Sequence, residues 1–364
     1  MNNFFLNNKR VLIICFCLYL FLFYVSNYLF LSELTDPNIF FHWYNQDQYL
    51  INYNELGFVK RGLIGYLFNL SLENYKNLTK LIVLINYMLI LIFYLLIINS
   101  IQNIELKKYL ILLGLSPFLF QQIGFDFGRF DHFGILYLLI IIFLVIKNRS
   151  ILIFEILSPF MILVHEIHFF TVVIFLIYIQ IITKRDKILI AYTIITSLII
   201  LLLLFFYGGI EKDQVELLQN KYWFINVYFV KGHIESSISL WLTDVFNFKT
   251  TIFYRHLFSI LLFLTIFIFI FKKSNDKYLK FVITLFSLCF IIGIDHARFL
   301  AIFIVNIFLI YLIKFYFKKV SFQIPKFNNF FWLITLLGPW GVNICLPLIT
   351  IIKKALLYGT LTFN

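Results

Sequence analysis

Long apolar runs, separated by short polar stretches, follow one another along almost the whole chain. An α-helix rises about 1.5 Å per residue, so about 20 apolar residues cross a hydrocarbon core of roughly 30 Å. We therefore expect an all-α, polytopic membrane protein of about ten or eleven transmembrane helices. Leu63–Leu72 is too short to cross and predicts an interfacial helix, and the Gly338–Gly341 turn could split the last run into a re-entrant pair. The runs that predict the spans are 11–32, 80–99, 110–124, 133–146, a hairpin over 151–183, 188–206, 257–271, 281–294, 299–317 and 330–352.

Composition agrees with the apolar pattern and excludes an ordinary soluble protein. The 364 residues are 62% hydrophobic and only 13% charged, with a mean hydropathy of +0.93. The net charge of +12 comes from small groups of Lys and Arg between the apolar runs, so it indicates membrane anchors and not a nucleic-acid partner. Residues 1–364 are expected to form a single integral membrane domain.

The distribution of Lys and Arg predicts the orientation of the spans. Lys9 and Arg10 precede the first run, so the N-terminus is expected on the cytoplasmic side of a bacterial inner membrane. The loops that follow then alternate, with extracytoplasmic segments at about 33–79 and 207–254. Lys353 and Lys354 break the alternation, so the side of the C-terminus stays open.

Four short polar clusters interrupt the apolar sequence, and this topology places all of them at the extracytoplasmic face. Ionisable groups near the end of a span cost up to about 3 kcal/mol each, so a chain that collects them at one face is expected to use them for binding or chemistry. The clusters are Phe58–Gly62, Asp126–His132, His165–His168 and Asp295–Arg298.

The first outer loop and the Asp-Arg pairs each allow a functional and a structural interpretation. Lys60 and Arg61 are adjacent cations on the outer side, where they oppose the positive-inside bias. They therefore match a phosphate partner better than a merely solvated loop. Arg129 follows Asp126 by three residues, so the pair would share a helix face and could bind substrate or only stabilise a helix end. The same spacing links Asp295 to Arg298.

The segment His165-Glu166-Ile167-His168 contains two histidines and a carboxylate but does not have the spacing of a zinc helix. The histidines are three residues apart, whereas the HExxH motif needs four, so no cofactor is expected and a divalent cation is the least favoured of the alternatives. Acid-base chemistry, substrate contact and a structural role at a turn all remain open for this segment.

An extracytoplasmic enzyme has no nucleotide sugars, so its donor must have crossed the membrane already. A sugar on a polyprenyl phosphate or pyrophosphate satisfies this requirement, because cations can bind the departing phosphate while a carboxylate deprotonates the acceptor hydroxyl. The sequence thus predicts glycosyl transfer.

The first half of the chain resembles the GT-C superfamily of membrane glycosyltransferases. The likeness rests on the early span, an outer loop with Asp47 and Tyr49, the short segment 63–72, and Ser116-Pro117 leading to Asp126. It implies a catalytic acid at Asp47, with Asp36 as a rival, and a second acid at Asp126 or Asp131. The Phe-rich chain with cationic outer loops also resembles the Wzy-type polymerases of O-antigen and capsule assembly.

Together these features predict a polymerase of lipid-linked glycan repeat units in surface polysaccharide or lipopolysaccharide assembly, with flippase and chain-length regulator proteins as partners. A single-sugar GT-C transferase, a flippase for the lipid-linked glycan and a noncatalytic scaffold are the alternatives. A flippase predicts polar groups at mid-span, where Glu155 is the exception among the carboxylates. The predicted catalytic residues are Asp47, Asp126, Asp131 and Glu166, and those predicted to bind substrate or phosphate are Lys60, Arg61, Arg129, His165, His168, Asp295, His296 and Arg298.

Overall fold

The computed structural model describes residues 48–68, 75–115, 119, 128–209, 251–292 and 296–318. All regular structure in these ranges is helical, as the apolar pattern predicts. The predicted first span, most of the loop 207–254 and the last apolar run lie outside the described residues.

The described chain opens with three short helical pieces that pack on one another. A 3₁₀ turn at Gln48–Leu50 leads into α1 (Tyr53–Leu56) and then α2 (Gly62–Leu67), which occupies the region where an interfacial helix was predicted. A β-carbon added at Gly65 would lie 2.3 Å from the Ile51 carbonyl oxygen, so α2 rests directly on the backbone after the 3₁₀ turn.

Three helices follow, and the first and last of them form a close pair. They are α3 (Tyr75–Ser100), α4 (Ile104–Leu115) and α5 (Asp131–Ile146). The rings of Tyr87 and His132 lie 5.7 Å apart near the start of α5, and Phe93 meets Phe143 at 5.7 Å near its end. The two helices therefore run in the same direction.

The predicted hairpin consists of two apolar helical stretches that meet at the His165 cluster. The first stretch is α6 (Leu152–Leu157), a 3₁₀ turn (Ser158–Phe160) and α7 (Met161–Val164). The second is a π-helical turn (Phe169–Val173) followed by α8 (Ile174–Ile182). Isolated π turns are frequent at functional sites, and this one directly follows the polar cluster.

The remaining helices complete the core around aromatic side chains. They are α9 (Lys187–Tyr207), α10 (Thr251–Lys273), α11 (Lys277–Ser287), α12 (Cys289–Ile292) and α13 (His296–Lys318). The Phe303 ring packs against Phe263 at 4.9 Å and against Phe286 at 5.1 Å, joining α10, α11 and α13.

Three described segments are long and apolar enough to cross a membrane, namely Leu78–Ser100, Lys187–Tyr207 and Arg298–Tyr316. The outer face of α9 is itself apolar, with Ile195 57% and Leu202 55% exposed, as expected for a surface against lipid. Four further apolar helices are shorter, and the predicted total of ten or eleven spans stays a prediction. The shorter segments are Asp131–Ile146, Leu152–Val164, Phe169–Ile182 and Ser259–Lys272.

The two ends of the helices carry different polar groups. The predicted site clusters lie where α5, the π turn and α13 begin, whereas Lys and Arg residues follow the other ends of α5 and α8. At this basic end Arg185 Nε lies 3.1 Å from Glu155. The interpretation of Glu155 as a mid-span carboxylate is therefore wrong, because it stands in the first turn of α6 and pairs with a residue of the loop.

Candidate functional site

A forked ion pair joins the first and third polar clusters. Arg61 donates from Nε to Glu166 Oε2 at 3.1 Å and from Nη2 to Oε1 at 2.5 Å. The two side chains are 105 residues apart in sequence and retain 13% and 33% exposure, so the carboxylate is the more open of the two. Two parallel charge-assisted bonds fix the plane of the guanidinium as well as its position.

The backbone around Arg61 is held in an unusual conformation. Arg61 has φ of 64°, a left-handed value that non-glycine residues adopt at a cost. A β-carbon at Gly62 would lie 2.4 Å from the Tyr53 ring, and the Lys60 N–H donates to the Gly208 carbonyl at 3.0 Å. Packing and the end of α9 together maintain the strained turn that presents Arg61.

A second ion pair joins the second and fourth clusters. Arg298 Nε lies 3.5 Å from Asp131 Oδ2, and both side chains are at least nine-tenths buried. Asp131 opens α5, where a negative charge complements the helix dipole, whereas Arg298 stands unfavourably in the first turn of α13. The carboxylate therefore compensates a cation that its own helix does not favour.

His168 connects these pairs through the interior. Its Nε2–H donates to the Phe130 carbonyl at 3.1 Å, and its Nδ1 lies 3.1 Å from the Thr171 hydroxyl. Burial lowers the pKa of His168 to about 3, so the ring is neutral and Nδ1 accepts from Thr171. A β-carbon at Gly134 would lie 2.5 Å from His168 Cε1, which means that α5 approaches this ring closely.

His165 and Glu166 are coupled at the open side of the site. His165 Nδ1 lies 3.3 Å from Glu166 Oε2 and 3.2 Å from the Ile167 N–H. Burial, together with the charge of Arg61, lowers the pKa of His165. Burial also opposes ionisation of Glu166, but Arg61 and His165 outweigh it and hold the pKa of that carboxyl well below its usual range. The Glu166 carboxylate is therefore ionised at neutral pH.

A continuous series of contacts encloses the buried pair. Asn306 donates from Nδ2 to the Thr171 carbonyl at 2.7 Å, two turns beyond Arg298 on α13. Thr171 contacts His168, which bonds the residue before Asp131. The series runs from α13 through the π turn to α5 and returns to α13 through the ion pair, so the geometry of the pair is constrained from both sides.

The structure brings residues of all four predicted clusters together. Arg61 meets Glu166, His168 meets Phe130, and Asp131 meets Arg298. Asp131 also interacts electrostatically with Arg129 and with both histidines. Their roles in binding or catalysis stay predictions.

Two predicted residues stand beside this cluster, and several lie outside the described residues. His296 is buried, and its Nε2–H donates to the Phe290 carbonyl at 2.9 Å. Lys60 is half-buried at the turn before Arg61. The predicted pairs of Arg129 with Asp126 and of Arg298 with Asp295 stay predictions, because both aspartates lie outside the described residues. The predicted residues outside the described ranges are Asp36, Asp47, Asp126 and Asp295.

Sequence reasoning missed Thr171, Asn306 and Gly134, which hold the site from behind. Thr171 and Asn306 are polar residues within apolar runs, and such residues in a membrane segment are a signal of function or of interhelical bonding. Gly134 carries no comparable signal in a single sequence, because its importance arises from a ring that is distant along the chain.

The arrangement offers fixed guanidinium groups for an anion and carboxylates for a proton or for hydroxyl groups. Across the described ranges, no three His, Cys, Asp or Glu side chains form a group suited to a metal ion. Comparison of the chain with protein-family models, curated sequences and solved structures finds no match. The chemistry of the site is therefore inferred from its geometry.

Proposed function

We propose that the chain is a membrane glycosyltransferase that takes its sugar from a polyprenyl phosphate or pyrophosphate outside the bacterial cytoplasm, as a polymerase of surface-polysaccharide repeat units. The observation that carries this proposal is the meeting of two Arg-carboxylate pairs at one end of a bundle of apolar helices. A substrate with an apolar tail, a phosphate and hydroxyl groups has a partner for each of its parts in such a site.

The Arg61 pair supports recognition of a phosphate. A guanidinium presents its donors as a planar fork that matches carboxylate and phosphate oxygens alike. Glu166 now accepts two of these donors, and its 33% exposure leaves it free to move aside when an anion arrives. Phosphate binding at Arg61 would then release a carboxylate beside the reacting groups.

The lengths of the helices support a recessed site that a lipid tail can reach. The 16 residues of α5 extend about 24 Å, which is less than a hydrocarbon core of roughly 30 Å. The 21 residues of α9 extend about 32 Å and end beside Lys60. If the basic ends share one membrane surface, Asp131 lies below the opposite surface and Arg61 lies at its rim.

The proposed reaction uses these groups in a defined order. The acceptor oxygen attacks the anomeric carbon, the bond from that carbon to the phosphate oxygen breaks, and the phosphate leaves with the electron pair. Arg61, Arg298, Arg129 and Lys60 stabilise the charge on the leaving phosphate. Asp47 takes the acceptor proton, Asp131 orients Arg298, and Glu166 orients Arg61 until the phosphate arrives.

Deletion of the gene tests the proposal and separates it from its alternatives. A single repeat unit left on its lipid carrier indicates a polymerase, and a truncated repeat unit indicates a single-sugar transferase. Lipid-linked glycan trapped at the cytoplasmic face indicates a flippase. An unchanged surface glycan in the deletion strain contradicts all three functions.

Arginine variants test the site itself. We expect Arg61→Ala and Arg298→Ala to abolish long glycan, with normal amounts of protein in the membrane, because each removes a cation from the leaving group. Arg61→Lys retains the charge but loses the fork, so it is expected to restore only part of the activity. Arg149→Ala is the matched control, since Arg149 is exposed at the basic end. Full-length glycan in both Ala variants would refute the assignment.

A further inference from the structure

Besides Asn306 on α13, four buried side chains on the first 3₁₀ turn, α3 and α5 carry oxygen atoms that have no hydrogen-bond partner among the described residues. They are Gln48, Thr79, Asn86 and Asp131, and each is at least 94% buried. We call this set of four side chains the oxygen face. Native interiors leave few buried polar atoms unsatisfied, and each exception calls for an explanation such as a bound water, an ion or a ligand.

These residues come from elements that pack against one another around the start of α5. Gln48 stands in the first 3₁₀ turn, next to Tyr49, whose ring packs edge-on against Phe130 at 4.8 Å. The same turn also packs on α3. Asn86 precedes Tyr87, whose ring contacts His132. Asp131 lies between Phe130 and His132, so Gln48 and Asn86 each neighbour a residue that contacts the segment carrying Asp131.

Thr79 extends the oxygen face along α3. It is seven residues before Asn86, so the two side chains share the buried side of the helix about two turns apart. The atoms without a hydrogen-bond partner are Gln48 Oε1, Thr79 Oγ1, Asn86 Oδ1 and both Asp131 oxygens, of which Oδ2 is ion-paired with Arg298 at 3.5 Å. These acceptor oxygens therefore stand on three elements that pack around the start of α5.

The chemistry of the oxygen face selects its partner. Carboxylate and amide oxygens accept hydrogen bonds, so a suitable guest must donate several of them. A phosphodiester offers no donor, and an apolar polyprenyl tail offers none either. Sugar hydroxyl groups are donors at closely spaced positions. The neighbouring guanidinium groups supply the charged hydrogen-bond donors that a phosphate on the same molecule binds.

We propose that the oxygen face is a sugar subsite, in which Gln48, Thr79, Asn86 and Asp131 accept hydrogen bonds from hydroxyl groups of a phosphate-linked sugar. The subsite deepens the proposed function and rests on it for the identity of the substrate. The site is then bipartite, with Arg61 and Arg298 on the phosphate and the oxygen face on the sugar.

Binding measurements on the purified full-length protein test this subsite. The probes are bare polyprenyl phosphate and polyprenyl phosphates that carry a hexose, an N-acetylhexosamine or a 6-deoxyhexose. We expect the wild type to bind at least one glycosylated probe about tenfold more tightly than the bare phosphate, which corresponds to one or two hydrogen bonds. No preference for any glycosylated probe would overturn the inference.

Substitutions on α3 locate the preference. Thr79→Val and Asn86→Leu are expected to bring the affinities for glycosylated and bare probes to within about twofold, while the affinity for the bare phosphate stays at the wild-type value. Arg61→Ala is expected to weaken all probes alike. Ser197→Ala is the matched control, because Ser197 is another buried hydroxyl without a hydrogen-bond partner in the described part of the chain but stands in the middle of α9.

Stability separates binding from a purely structural role. Replacing an unsatisfied buried oxygen by an apolar group is near neutral or stabilising, so Thr79→Val should keep the apparent Tm of the wild type. If Asn86→Leu does not fold, the smaller Thr79→Val change decides the outcome. A wild-type sugar preference in Thr79→Val and Asn86→Leu would mean that only water satisfies these atoms.

The subsite and the proposed function can fail separately. The purified protein could show a sugar preference that depends on Asn86 while the surface glycan survives deletion of the gene. That result would support the subsite and contradict the transferase proposal. Loss of glycan on deletion, with no sugar preference in the protein, would do the reverse.

Discussion

The buried pair of Asp131 and Arg298 provides the sharpest test of how the site is held. Asp131→Leu and Arg298→Met each leave one charge buried without its main partner, whereas the double variant removes both charges and fills the space with apolar atoms. We expect each single variant to be strongly destabilised and the double variant to regain most of the lost stability.

The separation of the two charges sets the magnitude. At 3.5 Å and an effective dielectric constant of about 20, the attraction is about 5 kcal/mol. Arg129 still faces Asp131 when Arg298 is lost, and the Phe299 ring still lies 5.2 Å from Arg298 when Asp131 is lost. We therefore expect each single variant to lose about 3 kcal/mol and the double variant to lie within about 1 kcal/mol of the wild type.

Thermal unfolding in one detergent at one scan rate measures these differences. At about 2 °C per kcal/mol for a chain of this size, each single variant should lower the apparent Tm by about 6 °C. The double variant should lower it by about 2 °C or less. Losses in the two single variants that simply add in the double variant would refute the coupling, and wild-type Tm values in the single variants would refute the burial of the pair.

Three further changes test the surroundings of the pair. Because the pKa of His168 is about 3 in the folded protein and 6.5 ordinarily, the free energy of unfolding should fall by about 1.4 kcal/mol per pH unit as the pH drops below about 6.5. Unfolding measured from pH 7 to 5 should show a flatter slope in His168→Gln, and an unchanged slope would contradict a buried neutral ring. Gly134→Ala should cost about 1–3 kcal/mol through overpacking, while Gly209→Ala, which has no atom within 4 Å of the added carbon, should stay within about 0.5 kcal/mol. Asn306→Leu should cost about 1 kcal/mol by removing its bond to Thr171, and a wild-type Tm would show that this bond does not hold the π turn.

The sequence predicted those helices that long apolar runs are enough to specify. The predicted runs 80–99, 188–206 and 299–317 correspond to α3, α9 and α13, because long apolar stretches in a membrane can satisfy their backbone only within a helix. The turn at His165–His168 followed for the same reason, since a polar interruption ends an apolar helix. Glu155 was misplaced because residue order does not reveal that Arg185 comes back to meet it.

The sequence predicted the candidate site only in part. The clustering of charges predicted that Arg61, Glu166, Asp131 and Arg298 would be near one another, but the expected partners were close neighbours in sequence. The structure pairs Arg61 with Glu166 across 105 residues, a contact that local spacing did not predict. Local spacing limits which side chains can meet along one helix, and it says nothing about which of two helix ends pack together.

Hydropathy and helix geometry act locally, so the amino-acid sequence was enough to predict helices that are long and apolar enough to cross a membrane, with the charged groups gathered into a few short clusters. The tertiary structure was needed to show which charges pair, that a neutral His168 and Asn306 hold the buried pair from behind, and that buried oxygens of the first 3₁₀ turn, α3 and α5 have no hydrogen-bond partner among the described residues. These features depend on contacts between distant segments, and packing alone sets such contacts.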